Sequence, residues 1–224
     1  MIALPFRRLG LGVAAAVVLA GAPAAAQDNL GDTYTFLATV AVKGQQCDLI
    51  ERWESATILA ETDRFLNLFP PEQRGLVMAA AEDRIAATDC DDTAIVEWIS
   101  GARPGIETEW LPPNLALVKA LIELDSPPQS FIDLTADIEL EAASATIDAQ
   151  FVAFADAGIG PEGGGSWDAF FQSVGDVAEA MASAAIDGDN DVFSQNEATA
   201  FISDATEITL LWLEAQQGAP HVGQ

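Results

Sequence analysis

Apolar residues recur at spacings of three and four along most of this chain. Phe170, Val174, Val177, Met181 and Ala184 form one such stripe, and Ala198, Phe201, Ala205, Ile208 and Trp212 form another. Val77, Ala81 and Ile85 repeat the pattern earlier. A period near 3.6 residues places each set on one face of an α-helix. The helices predicted this way run from 48 to about 69, restart after Pro70-Pro71, and continue at 94–100, 115–124, 167–186 and 195–213. Asp48-x-x-Glu51 reads as the first cap. Proline and glycine place loops at "GARPG" and "LPPN", on either side of 106–110.

The segment 131–157 reads in two ways. "FIDLTADIELE" alternates in part as a strand would, yet two helical stripes also run through it. One is Phe131, Leu134, Ile138, Ala142, Ala145, Ala149 and Val152; the other is Leu140, Ile147, Phe151 and Phe154. Two apolar faces favour a helix buried on both sides. "GIGPEGGGS" then supplies a flexible connector ending in a helix cap at Ser166. The five tryptophans, at 53, 98, 110, 167 and 212, read as core or half-buried anchors. The fold class expected is all-α, a multi-helix bundle with a helix-loop-helix near the C-terminus. The organisation expected is a leader at 1–26, a helical domain at 27–157, the connector at 158–166, the helix-loop-helix at 167–217 and a tail at 218–224.

Arg7 and Arg8 precede an apolar run, and small residues follow, ending Ala24-Ala25-Ala26. A charged start, an apolar middle and an A-x-A end form the pattern of a secretory signal peptide. The mature chain would begin at Gln27, keep 198 residues and lie in the periplasm or outside the cell. No later segment has the length of a membrane span. In such a compartment Cys47 and Cys90, the only cysteines, are expected to pair. The link closes a separation of 43 residues and contributes about 4 kcal/mol in the chain-entropy view. There is no C-x-x-C motif.

Charge narrows the partners. The chain has 35 acidic and 9 basic residues, a net of −26; loss of Arg7 and Arg8 takes it to −28. From 120 to 224 there are 19 Asp and Glu and no Lys or Arg. Such a surface repels nucleic acid and anionic lipid and favours cations or a basic protein partner. Solubility in a saline medium would leave the same composition.

"DGDNDVFSQNEA", at 187–198, is the one stretch with site-like spacing. Calcium takes six to eight oxygens from alternating side chains and a backbone carbonyl. Asp187, Asp189, Asp191, the Val192 carbonyl and Glu197 supply such a series, with Ser194 between. The stretch resembles the EF-hand loop, shortened to 11 residues because the central Gly between Asp191 and Val192 is missing. The resemblance implies calcium as cofactor and the five residues just named as ligands. Ser194-x-x-Glu197 is equally a capping box, and Asp-Gly-Asp-Asn-Asp is ordinary turn chemistry. Both readings stand at this point.

No catalytic motif competes: there is no G-x-S-x-G, H-E-x-x-H or Walker loop. The single histidine, His221, lies in the tail. Catalysis is therefore not the expectation, although a carboxylate-only site stands as a third reading. The first expectation is an exported acidic helical protein whose calcium-binding loop serves a structural or interaction role. The second is a metal-independent acidic module that binds a partner.

Overall fold

The computed structural model describes residues 30–161 and 164–218. The leader at 1–26 and His221 in the tail lie outside the described residues. Nine α-helices and one π-helical turn make up the described chain, with no strand among the described residues. The all-α multi-helix bundle is the fold. No helix among the described residues is long and apolar enough to cross a membrane. The chain forms two compact units, one ending at Ile106 and one beginning at Glu107. The connector around 158–166 lies inside the second.

The first unit holds α1 (Leu30–Gln46), α2 (Arg52–Leu66), α3 (Pro71–Ala87) and α4 (Thr93–Gly105). α1 is central and packs on the other three. Its buried positions are Tyr34, Leu37, Ala38, Val40 and Ala41. Gly44 continues that face, and a Cβ there would stand 2.9 Å from Ile50 Cδ1 and 3.1 Å from Ile99 Cδ1. Only glycine lets those two isoleucines close over α1 without displacement. Pro70-Pro71 separates α2 from α3, with Pro71 at the first helical position, where its missing N–H has no intrahelical use. Ala81 on α3 is buried with Val77 half-buried beside it, as the stripe predicts.

Two local expectations are corrected here. The helix predicted from 48 begins at Arg52, and Glu51 with Glu54 forms its capping box. Asp48 sits instead at φ 55°, a left-handed turn that ends α1 and that Asp tolerates. "GARPG" and "LPPN" are helical rather than loops. Pro104 lies inside α4, a π-helical turn spans Ile106–Trp110, and Leu111–Glu123 follows as α5. Pro112 and Pro113 fall in the first turn of α5, where an N–H is dispensable. They also deprive the Thr108 and Glu109 carbonyls of their i+4 donors.

The second unit contains α5, α6 (Gln129–Leu134), α7 (Leu140–Asp156), α8 (Trp167–Asp187) and α9 (Gln195–Gly218). α5 packs on α7, α8 and α9, and α9 also packs on α6 and α8. Leu115, Ala116, Leu117, Val118 and Leu121 are all buried, the all-round burial of a central helix. Both C-terminal stripes are buried over most of their length: Val174, Val177, Met181 and Ala184 on α8, and Ala198, Ala205, Ile208 and Trp212 on α9, with Phe170 and Phe201 half-buried. Burial of each large side chain contributes about 1.5–3 kcal/mol. Alanines at 178, 182, 198 and 205 are buried on these two helices.

The single helix expected over 131–157 is broken. α6 ends at Leu134, and the Thr135 hydroxyl turns back to the Phe131 carbonyl at 2.8 Å. Of the two stripes, the aromatic one is buried (Ile147, Phe151, Phe154), while Leu134, Ile138 and Val152 are exposed. Polar Glu139 and Glu141 and small alanines on the other face leave it little to bury.

Candidate functional site

The acidic stretch joins α8 to α9, and its geometry follows from the orphan groups that any helix end leaves behind. At the carbonyl end of α8, the backbone passes through Gly188 at φ 100°, a conformation other residues rarely adopt. Side-chain amides then reach back to carbonyls of α8. Asn190 Nδ2 donates to Ala180 O at 2.8 Å, and Gln195 Nε2 donates to Ala185 O at 3.1 Å.

At the amide end of α9 the donors find oxygens. Glu197 N donates to Ser194 Oγ at 3.3 Å, while the Ser194 amide and hydroxyl donate to Glu197 Oε2 at 3.1 and 2.7 Å. This is a complete capping box. Asp189 Oδ1 accepts from the Gln195 amide at 2.8 Å. Both carboxylates stand where the α9 dipole favours negative charge. Asn190 closes the middle: its Oδ1 accepts from the amides of Val192 (2.9 Å) and Phe193 (2.8 Å), and its own amide donates to the Phe193 carbonyl at 2.9 Å. Phe193 is half-buried and packs edge-on against Phe201, with ring centroids 6.5 Å apart.

The candidate ligand residues are thus distributed. Asp189 and Glu197 are engaged with the start of α9. Asp187, at the end of α8, and Asp191, in the turn, are exposed, and the Val192 side chain is 40% exposed. Among the described residues, no group of three or more His, Cys, Asp or Glu side chains is arranged to hold a metal ion. In this arrangement the turn satisfies its own polar groups through cross-capping, and Asn190 is the residue sequence reasoning missed. Its signal was present in the Asx-turn habit of Asn, which accepts from backbone amides two and three residues on.

Charged chemistry elsewhere is local to each unit. In the first, Cys47 and Cys90 form a disulfide with Cα atoms 5.5 Å apart, as expected. Near it, Glu54 is almost fully buried and accepts Arg103 Nε at 2.8 Å, while Arg103 Nη2 donates to the Leu49 carbonyl at 2.6 Å. Burial, reinforced by the Asp63 charge, a hydrogen bond to Asp63 and the charge of Glu82, holds the Tyr34 phenol above its ordinary pKa. Burial likewise raises the Asp63 carboxyl, partly offset by the Tyr34 hydrogen bond. In the second unit Lys119 is the only Lys or Arg, and it bridges Asp148 (2.9 Å) and Glu123 (3.0 Å).

Compared with known protein families, with curated proteins and with solved structures, the chain finds no match in any of the three.

Proposed function

We propose that this protein is an exported, non-catalytic acidic helical module that recognises a basic protein partner without requiring a metal. The observation that carries the reading is the unbalanced charge of the second unit. From 120 to 224 it has 19 carboxylates and no Lys or Arg, and the Lys119 ammonium just before that stretch is already committed to Asp148 and Glu123. A surface of one sign steers an oppositely charged partner and leaves that partner to supply the counter-charge. The hydrogen-bonded turn at 187–197 supports the metal-independent part, since Asp189 and Glu197 already serve α9.

A second reading keeps the turn as a calcium site. Asp187, Asp189 and Asp191 are exposed within five residues at the carbonyl end of α8, where the helix dipole adds negative potential. Calcium binding there would have to share Asp189 and Glu197 with the caps they make at the start of α9.

Capture of partners in EDTA and in calcium, at graded sodium chloride, separates the readings. The first predicts a retained protein with a basic surface, held equally in EDTA and calcium and released as salt rises. Retention that needs calcium supports the second. Retention of acidic proteins, or retention indifferent to salt, contradicts both the charge and the partner assigned.

A further inference from the structure

We propose that the Cys47–Cys90 disulfide is a charge-selective thiol-exchange site, opened by attack of a cationic thiol on Cys90 and guarded against anionic thiols; this does not depend on the partner reading above. The bond joins the turn after α1 to the loop between α3 and α4, with Cα atoms 5.5 Å apart. Cys47 is half-buried and Cys90 is exposed. Cys90 and Asp91 form the tip of a turn that closes when the Asp92 amide donates to the Asp89 carbonyl at 3.3 Å. An external thiol therefore meets Cys90 first.

Carboxylates surround this bond on both strands of the link. Asp48 directly follows Cys47, Asp89 and Asp91 flank Cys90, and Asp92 comes next. Consecutive Cα atoms stand about 3.8 Å apart, so the carboxylates of Asp48, Asp89 and Asp91 lie within about 9 Å of the adjoining sulfur in any rotamer. That is inside the screening length of about 10 Å at 0.1 M salt. These three residues are exposed, while Asp92 is held as the α4 cap by the Ala94 and Ile95 amides. Countercharge is sparse. Lys43, four residues before Cys47, offsets one carboxylate, and Arg103, which reaches the Leu49 carbonyl, is paired with Glu54.

The attacking species in disulfide exchange is a thiolate. It attacks Cys90 Sγ, a new sulfur–sulfur bond forms there, and Cys47 leaves as a thiolate. A second thiolate then attacks the small thiol's sulfur in the mixed disulfide. This releases Cys90, both cysteines take protons from water, and the two small thiols depart oxidised as their own disulfide. Each attack brings negative charge into a negative field, which costs more when the attacker carries a further carboxylate and less when it carries an ammonium.

The test measures reduction of the folded, disulfide-bonded protein at pH 8 by cysteamine (cationic), 2-mercaptoethanol (neutral) and 3-mercaptopropionate (anionic). Each rate is divided by the same thiol's rate on a neutral small disulfide, which removes differences in thiolate fraction and nucleophilicity. At 20 mM sodium chloride the corrected rates should fall about tenfold from cysteamine to mercaptopropionate, and 1 M salt should nearly abolish the spread. Asp89→Asn with Asp91→Asn should narrow it to about threefold, while the control pair Asp137→Asn with Asp156→Asn, in the second unit, leaves it unchanged. Alkylation and mass analysis of the first intermediate should find the small thiol on Cys90 and the alkyl group on Cys47. Circular dichroism checks folding, and if the 89/91 pair unfolds, the salt series on the unmodified protein decides. Corrected rates indifferent to thiol charge, equal effects of the two Asp pairs, or the small thiol on Cys47 overturn the proposal. So does a rate that stops rising with thiol concentration, the sign of reduction only after unfolding.

Discussion

Asp189 Oδ1 accepts a 2.8 Å hydrogen bond from the backbone amide of Gln195, the first residue of α9. Gln195 in turn sends its side-chain amide to the Ala185 carbonyl of α8. The two helix ends therefore complete each other's hydrogen bonding. If these bonds hold the turn, Ser194→Ala and Asn190→Ala each destabilise the protein by about 1 kcal/mol, the usual worth of a lost cap. Asp191→Ala, by contrast, is neutral or mildly stabilising, because it removes one of several crowded negative charges. Urea unfolding checks this; a loss at Asp191 as large as at Ser194 would contradict it.

Arg103 and Glu54 lie 49 residues apart in sequence and meet at 2.8 Å. Glu54 is 2% exposed and Arg103 42% exposed. Arg103→Leu leaves a buried carboxylate with the Glu51 amide but without its cation. The expected loss is about 3 kcal/mol, the low end for a broken buried pair because solvent reaches the arginine. The double variant Arg103→Leu with Glu54→Leu should recover most of that. Thermal melting of the two variants decides; a double variant no more stable than the single one would show that the pair is not what matters.

Alkaline pH should weaken the fold. Burial and Asp63 raise the Tyr34 phenol above 10.0. Partial burial alone would lower Lys119, but hydrogen bonds and charges from Asp148 and Glu123 overcome it and raise it above 10.5. Both groups hold their protons more tightly folded than unfolded. As pH climbs past about 10 the unfolded chain releases protons that the fold retains, so stability falls. Tyr34→Phe removes one of the two contributions. Its urea midpoint should drop less between pH 8 and pH 11; an identical drop would contradict the assignment.

The uncompensated charge predicts a higher melting temperature in 1 M sodium chloride than in 20 mM. Screening shortens from about 10 Å at 0.1 M to about 3 Å at 1 M and relieves repulsion among exposed carboxylates. The Arg103–Glu54 pair has one buried partner, so salt weakens it only in part and it opposes the trend weakly. A melting temperature that falls with salt would mean attractive pairs dominate.

What was legible in the sequence depended on range. Stripes such as Val174, Val177, Met181 and Ala184 predicted both helix and buried face, because a local period fixes which side chains share a side. Cys47 and Cys90 were legible from the count and from the leader-like pattern at the start of the chain. The break at Thr135 was not, since an apolar period runs straight through it and only the burial of Phe131 against exposed Leu134 distinguishes the two halves. The prolines at 112 and 113 misled, because a first helical turn tolerates proline where its N–H is dispensable, and Pro104 misled because it lies inside α4 near its end without ending it earlier. Glu54 with Arg103 left no local trace at all. In the turn, ligand spacing and capping spacing share Asp189 and Glu197, so sequence alone could not divide them.

The central claim, that the turn at 187–197 stands without a metal, is tested most directly by calorimetric titration of calcium into chelator-treated protein. The wild type, Asp187→Ala and Glu197→Gln are compared in calcium and in magnesium at matched ionic strength. The account predicts no saturable calcium heat up to 10 mM in any of them, and equal melting temperatures in the two cations. A one-site isotherm in the wild type that Asp187→Ala and Glu197→Gln abolish, with a melting temperature raised by calcium over magnesium, would contradict it and establish the calcium site.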